Sequence, residues 1–220
     1  MSQYKESYRV GGINIQKLIE QLGRHDGSNY LDLLKELIDN SFDWNATKCE
    51  VKFNRLNNTI IVNDNGSGMN KTAIEKFTEL YSDNISEDNT IDGKFGIGCK
   101  KACAVLSQLN KVEVITVYDK VKSFILIDYN ELLQTKNSYT NGINVTEERT
   151  MEDNFTEIII TCKDNDIIDY FKNLEKSIKI SDYDNKNLQY ELSKTYSPRL
   201  FNSKELFITF DDRIPTKINP

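Results

Sequence analysis

The sequence predicts an α+β fold, a two-layer α/β sandwich in which helices cover one face of a mixed, mainly antiparallel sheet. Two patterns support this prediction. Alternating apolar residues are typical of strands, and they occur at 49–54, 59–64, 111–118, 121–128 and 155–162. Apolar residues three and four apart are typical of helices, and they occur at 13–23, 30–45, 71–81, 100–109 and 166–180. Helices segregated from antiparallel strands favour a sandwich of this kind.

The predicted helices have recognisable ends and faces. The segment 13–23 ends on Gly23, a residue that commonly terminates helices. The segment 30–45 has one packed face, which consists of Leu33, Leu34, Leu37, Ile38 and Ser41. The polar, glycine-containing stretch 82–96 has no helical spacing, and we expect a mobile loop there.

Two turn signals lie between the predicted strands. Asn57-Asn58 separates 49–54 from 59–64 and indicates a hairpin. Asn141-Gly142 lies in a polar region after 121–128 and also indicates a turn. Neighbouring strands joined in this way pair antiparallel.

The composition is that of a globular protein, with 38% hydrophobic and 28% charged residues. The formal net charge of −6 argues against the whole chain being a nucleic-acid-binding surface, although a local basic patch stays open. The N-terminus lacks the apolar run of a secretory signal, and no segment is long enough to span a bilayer. We therefore expect a cytoplasmic or nuclear location and no membrane partner.

The four cysteines do not have the paired spacing of metal ligands. Cys99 and Cys103 lie four residues apart and would share one face of a helix, whereas Cys49 and Cys162 are isolated in sequence. The chain has one histidine, His25, which is distant from all of them. We expect reduced, mostly buried thiols rather than a metal site.

Glu36 and Asn40 are the first candidates for chemistry. They lie four residues apart in a predicted helix, which places them on one face. A carboxylate can orient and deprotonate a water, and an amide oxygen can hold Mg²⁺, which takes few protein ligands. Phosphoryl transfer needs little more than a positioned water, a metal and donors around the phosphates. An ordinary solvated helix face would show the same two residues.

Two glycine-containing segments could approach a ligand closely. In VNDNGSGM, Asp64 ends a strand and could accept a hydrogen bond from an exocyclic amine, while Gly66 and Gly68 allow a tight turn. In DGKFGIGCKKA, glycines precede a helix whose N-terminal amides would attract phosphate. The second segment is not a Walker loop, because Cys99 follows Gly98, and it does not follow the first strand of a βαβ unit. Ordinary polar turns remain the alternative for both segments.

The order of these segments resembles the GHKL, or Bergerat-fold, ATPase superfamily, which includes gyrase B, the ninety-kilodalton heat-shock chaperones, histidine kinases and MutL. The resemblance covers about residues 13–162. It implies that ATP and Mg²⁺ are the cofactors. It also implies that Glu36 activates the hydrolytic water, that Asn40 ligates Mg²⁺, and that Asp64 recognises the adenine amino group.

The same resemblance implies further contacts with the nucleotide. The stretch from about Ser82 to Gly98 would be the ATP lid. Thr156 matches the family's late-strand threonine, although Phe155 stands where the family usually has glycine. The remaining residues implied to contact the nucleotide are Asp43, Gly66, Gly68, Met69, Gly93, Lys94, Phe95, Gly96, Ile97, Gly98, Cys99 and Lys100.

The branch of the family suggests what the chain does. The phrase ELIDNSFDWNA, which contains Glu36, resembles the hydrolysing branches, and the stretch from Lys194 onwards resembles the opening of the transducer domain in MORC proteins and MutL. We therefore expect an ATP-binding domain at 1–180 and an extension at 181–220. One hypothesis is an ATPase motor whose lid closure on ATP drives homodimerisation, acting on DNA or protein clients through other domains. The alternative is a nucleotide-sensing module with negligible hydrolysis that recruits a partner.

Overall fold

The computed structural model describes residues 5–10, 29–79, 97–134, 142–176 and 187–220. The strands in these ranges are β1 (Lys5–Val10), β2 (Lys48–Asn54), β3 (Thr59–Asp64), β4 (Lys111–Tyr118), β5 (Val121–Asp128), β6 (Ile143–Arg149), β7 (Phe155–Thr161), β8 (Glu205–Phe210) and β9 (Thr216–Ile218). The helices are α1 (Tyr30–Asp43), α2 (Lys71–Thr78), α3 (Ile97–Leu106), α4 (Tyr129–Gln134), α5 (Asp166–Lys176) and α6 (Leu188–Phe201).

The nine described strands form one sheet in the order β1-β6-β5-β4-β7-β3-β2-β8-β9. Neighbouring strands pair antiparallel except β2 and β8, which are parallel. The predicted α+β class with a mainly antiparallel mixed sheet is therefore confirmed. Strands β3, β4 and β5 have the predicted bounds, and β2 and β7 each differ from theirs by one residue.

The helices depart from the predicted bounds more than the strands do. Helix α1 ends at Asp43 rather than at residue 45, because Asn45 adopts a left-handed backbone with φ of 68°. Helix α3 begins at Ile97, three residues earlier than predicted. The predicted helix at 13–23 and the predicted loop at 82–96 lie outside the described residues. The sequence patterns did not indicate β1, β6, β9, α4 or α6.

Alternating burial shows how the two layers meet. In β2 the side chains of Cys49, Val51 and Phe53 are buried, while the residues between them are at least partly exposed. The Phe53 ring stacks on Phe210 of β8 at a centroid distance of 4.7 Å and packs on Phe171 of α5 at 4.8 Å. A fully buried apolar side chain of this size contributes about 1.5–3 kcal/mol to folding. The core therefore lies between this face of the sheet and the helices.

Helix α1 begins and packs as its sequence dictates. The Asn29 side chain accepts a hydrogen bond from the backbone N–H of Leu31 and so caps the first turn. The buried side of the helix includes Leu34, Leu37 and Ile38, whose spacing matches the helical period.

The C-terminal segment, residues 187–220, makes hydrogen bonds to the backbone of α1 and to the residues just after it. Lys204 donates to the backbone carbonyls of Phe42, in the last turn of the helix, and Ala46, just after it, at 3.0 and 2.8 Å. Burial lowers the pKa of Lys204. The Tyr196 hydroxyl donates to the Lys35 carbonyl at 3.0 Å. Strand β8 also extends the sheet beside β2, so the strands within residues 187–220 belong to the same sheet as the rest of the fold. The division at residue 180 stays a prediction.

None of the helices in the described ranges combines the length and the apolar character needed to cross a membrane.

The lysine at the end of α1 predicts a stability effect. Replacing Lys204 with Met keeps the apolar stem but removes the two hydrogen bonds to Phe42 and Ala46. We expect the free energy of unfolding to fall by about 1 kcal/mol, measured by urea denaturation. Lys194→Met, at an exposed position of α6, is the matched control. Equal effects of the two substitutions would contradict the capping role.

Candidate functional site

A small cleft opens where α1, the turn after β3, β7 and α3 meet. Its volume is about 30 Å³, which is enough to hold water. Six residues predicted from the sequence line it: Asn40, Asp64, Gly68, Met69, Cys99 and Thr156. Four further lining residues come from α1, the residue that caps its C-terminus, and β7: Leu37, Ser41, Trp44 and Ile158. The cleft therefore has apolar walls with a few polar groups, as small-molecule sites usually do.

The Asp64 carboxylate is the main polar group of the cleft. It lies at the end of β3 with only 7% of its surface exposed. Its Oδ1 accepts from the backbone N–H of Gly66 at 2.8 Å, and its Oδ2 accepts from the Ser41 hydroxyl at 2.9 Å. Burial raises the pKa of Asp64 from 3.8 to about 6, although these bonds and one from the Thr156 backbone oppose the shift. A carboxylate offers about four acceptor positions, so Asp64 keeps acceptor capacity for a ligand.

The turn after β3 depends on two glycines. Gly68 has φ of 70°, and a Cβ at that position would lie 1.9 Å from the carbonyl oxygen of Val117. A Cβ at Gly66 would lie 2.7 Å from the carbonyl oxygen of Trp44. The same Trp44 carbonyl accepts from the backbone N–H of Ser67 at 2.9 Å. The turn is therefore packed between the end of α1 and strand β4, where no side chain fits.

Three strands carry a row of polar residues across the base of the cleft. Asp64 of β3 is opposite Thr156 of β7, and Thr156 is opposite Thr116 of β4. The Thr116 hydroxyl lies 2.9 Å from the Phe155 carbonyl oxygen and 3.2 Å from the Thr156 hydroxyl. It also accepts from the backbone N–H of Met69 at 2.9 Å. These bonds connect the glycine turn to the sheet.

Glu36 and Asn40 lie on α1, beside the start of α3. A Cβ at Gly98 would lie 2.2 Å from Oε2 of Glu36, so the carboxylate rests directly on this glycine. The Asn40 side-chain nitrogen donates to the Glu36 carbonyl at 2.6 Å, which leaves its oxygen for a ligand. Within the described segments, no three His, Cys, Asp or Glu residues lie close enough together to hold a metal ion between them.

A comparison with protein families matches residues 31–193 to the family described as histidine kinase-, DNA gyrase B- and HSP90-like ATPases. This chain belongs to that family. The match includes α1, the turn after β3, α3 and β7, which together form the cleft. No curated protein sequence matches the chain significantly.

Solved structures agree with this GHKL ATPase assignment at the level of the fold. The 43K ATPase domain of Thermus thermophilus gyrase B, in complex with an aminocoumarin, has a TM-score of 0.56 and 16% identity over 94% of this chain and 51% of its own. The ATP-binding domain of Francisella tularensis topoisomerase IV, in complex with a small-molecule inhibitor, has a TM-score of 0.53. Its identity is 15% over 98% of this chain and 97% of its own.

The Aquifex aeolicus MutL ATPase domain, complexed with ADP, has 20% identity over 86% of this GHKL chain and a TM-score of 0.49. The chain spans 62% of that MutL domain and 51% of the gyrase B domain.

Several residues implied by the GHKL resemblance lie away from the cleft or outside the described residues. Asp43 pairs with Arg199 of α6 at 3.0 Å and is not among the described residues that line the cleft. Lys100 donates to the Glu79 carbonyl. Ile97 is the first residue of α3. Outside the described ranges lie Gly93, Lys94, Phe95 and Gly96.

Two polar residues of this GHKL site were missed from the sequence. Ser41 was assigned only to a packed helix face, yet it donates to Asp64. Thr116 occupies a buried position of β4, where its alternate neighbours Val112 and Val114 are apolar. A polar residue at a position where alternation predicts an apolar one was the available signal.

An added Cβ would clash most closely at Gly68 and Gly98, but we expect substitutions at these two glycines to differ in their effect on stability. Gly68→Ala should lower the free energy of unfolding by at least about 2 kcal/mol, because φ is positive and the obstacle is backbone. Gly98→Ala should change it by less than about 1 kcal/mol, because the obstacle is the movable end of Glu36. Chemical denaturation of both variants measures this, and similar losses would show that the turn is not constrained by Val117.

Proposed function

We propose that this chain binds ATP in the cleft and hydrolyses it with Glu36 as the general base. The observation that carries the proposal is the Asp64 carboxylate, which is buried at the end of β3 and keeps acceptor capacity toward the cleft. An exocyclic amine of adenine would supply the missing donor. Gly68 and Met69 provide the closely approaching backbone beside it, and Leu37 and Ile158 provide apolar surface for a flat base.

The start of α3 suits the phosphates. Its N-terminal backbone N–H groups attract anions, and Gly98 lets a ligand approach them because it has no side chain. Glu36 lies against the same glycine, so its carboxylate is near the place where a terminal phosphate would lie. From there it would orient a water and take its proton as the water attacks phosphorus.

Asn40 fits the magnesium ion that this chemistry uses. Its side-chain nitrogen is engaged by the Glu36 carbonyl, and its oxygen is the kind of single protein ligand that Mg²⁺ accepts alongside phosphate oxygens and waters. Asn40 would thus hold the ion that neutralises charge on the phosphates.

The family resemblance extends the proposal beyond the cleft. Lid closure by the stretch from about Ser82 to Gly98 would cover the phosphates, and the closed state would favour a symmetric homodimer. DNA or protein clients would be engaged through other domains of a larger machine. A nucleotide-sensing module that binds ATP without turnover is the other candidate, and phosphate release separates the two.

Asp64 should determine the choice of base. Guanine presents a carbonyl oxygen where adenine presents its amino group, and this oxygen would repel the carboxylate. Leaving a buried acceptor unpaired costs roughly 1–3 kcal/mol, so ATP should bind at least about tenfold more tightly than GTP. Asp64→Asn should remove most of this preference, because an amide can also donate. Competition binding with both nucleotides measures it.

The control for this experiment is Asp153→Asn, which alters an exposed carboxylate on the loop before β7. It should leave the preference unchanged. Equal affinity of the parent chain for ATP and GTP would show that Asp64 does not read the base.

Glu36 should control turnover rather than binding. Glu36→Gln keeps the shape of the side chain but cannot accept a proton from water. We expect steady-state phosphate release to fall by about two to four orders of magnitude while the Kd for ATP changes little. Asp32→Asn, on the exposed side of the same helix, is the control and should retain activity.

The outcomes are distinct. Unchanged phosphate release by Glu36→Gln would remove Glu36 from the mechanism. A parent chain that binds ATP tightly but releases no phosphate, even at the highest protein concentration tested, would favour the sensing module.

A further inference from the structure

We infer that Thr116 is a positioning residue that sets the hydrogen-bonding character of the base pocket, an inference that rests on the proposed ATP binding. Thr116 is fully buried in β4 and is not among the described residues that line the cleft. It acts through two residues that do line it, Met69 and Thr156.

The inference follows from an inventory of hydrogen bonds. A threonine hydroxyl has one proton to donate and two lone pairs to accept with. The Met69 N–H can only donate, so it occupies one lone pair of Thr116. The Phe155 carbonyl can only accept, and at 2.9 Å it takes the Thr116 proton. The remaining lone pair of Thr116 then accepts from the Thr156 hydroxyl at 3.2 Å.

This arrangement leaves Thr156 with acceptor capacity only, because its single proton points to Thr116. Asp64 beside it is also an acceptor, whose bonds come from Gly66 and Ser41. Both polar side chains on the sheet side of the cleft therefore offer lone pairs to a ligand, or to a water that bridges to it. The pocket favours a base edge that presents N–H groups at this point.

The same hydroxyl fixes the backbone on two sides of the cleft. Through Met69 it anchors the end of the glycine turn, whose Gly68 packs on the neighbouring Val117 carbonyl. Through the Phe155 carbonyl it fixes β7 immediately before Thr156. The backbone at residue 155 is thus held through its carbonyl, while alternation directs the Phe155 side chain to the opposite face of the sheet from Thr156.

The test compares Thr116→Val with Thr116→Ser. Valine keeps the volume and removes the hydroxyl, whereas serine keeps the hydroxyl and removes a methyl group. Calorimetry measures the Kd for ATP and for inorganic tripolyphosphate, which lacks a base. We expect Thr116→Val to weaken the binding of ATP about tenfold and the binding of tripolyphosphate less than about twofold. Thr116→Ser should keep the parent ratio of the two affinities.

Thr161→Val is the matched control, since it removes a half-buried threonine hydroxyl from the same sheet away from the cleft. It should leave both affinities unchanged. Should Thr116→Val be too unstable to purify, Thr116→Cys replaces it, because sulfur is a weak donor and acceptor. The ratio of affinities should then fall for cysteine and not for serine.

The outcomes separate this inference from the proposed function. A parent chain that does not bind ATP overturns the proposed function and the inference with it. A parent chain that binds ATP, together with a valine variant of unchanged affinity ratio, overturns only the inference. Loss of ATP affinity in Thr116→Ser but not in Thr116→Val would assign Thr116 a packing role and also overturn it.

Discussion

Burial of the Asp64 carboxylate is the constraint on which the rest of the site depends. An ionised group in an apolar sheet face is costly unless it is hydrogen-bonded, and the raised pKa of Asp64 reflects that cost. Each element of the site meets part of it: α1 supplies Ser41, the glycine turn supplies the Gly66 N–H, and β7 supplies a backbone bond from Thr156. Asp64 keeps acceptor capacity beyond these bonds, and this suits the cleft to a hydrogen-bond donor on a ligand.

Helix α1 connects this carboxylate to the rest of the chemistry. It carries Glu36, Asn40 and Ser41 within two turns, so one helix positions the proposed general base, the candidate Mg²⁺ ligand and the Asp64 partner. Residues 187–220 contact the same helix through Tyr196, whose hydroxyl donates to the Lys35 carbonyl and whose ring packs on Phe42. Displacing that segment would therefore disturb all three groups at once.

The pairing of Asp43 changes the interpretation of one motif residue. The family resemblance implied that Asp43 contacts the nucleotide, and that role stays a prediction. In the structure Arg199 pairs with Asp43 at 3.0 Å and with Asp39 at 3.3 Å, and its guanidinium lies over the Phe42 ring. A carboxylate engaged in this way links α1 to α6.

Local patterns predicted much of the fold and the centre of the site. Alternation located β2 and β3, and helical spacing located α1, because both depend on neighbours in sequence. Asp64 and Gly68 were predicted because they lie at and just after the end of a strand, whereas Met69 was implied by the family resemblance.

Features that depend on strand order could not be predicted in the same way. Thr116 meets Met69 and Thr156 only because β4 lies next to β7, and Arg199 meets Asp43 across 156 residues of sequence. The parallel pairing of β8 with β2 likewise joins distant segments, and no turn motif in the sequence indicates it.

Backbone hydrogen exchange of the whole chain, with and without Mg·ATP, tests the central claim most directly. If ATP occupies the cleft, exchange should slow in the turn at 64–69 and at the start of α3, residues 97–100, while strands β8 and β9 change little. Mg·GTP at the same concentration should give weaker protection at 64–69. Saturating ATP that leaves both segments unprotected, or that protects only residues remote from Asp64, would contradict the account.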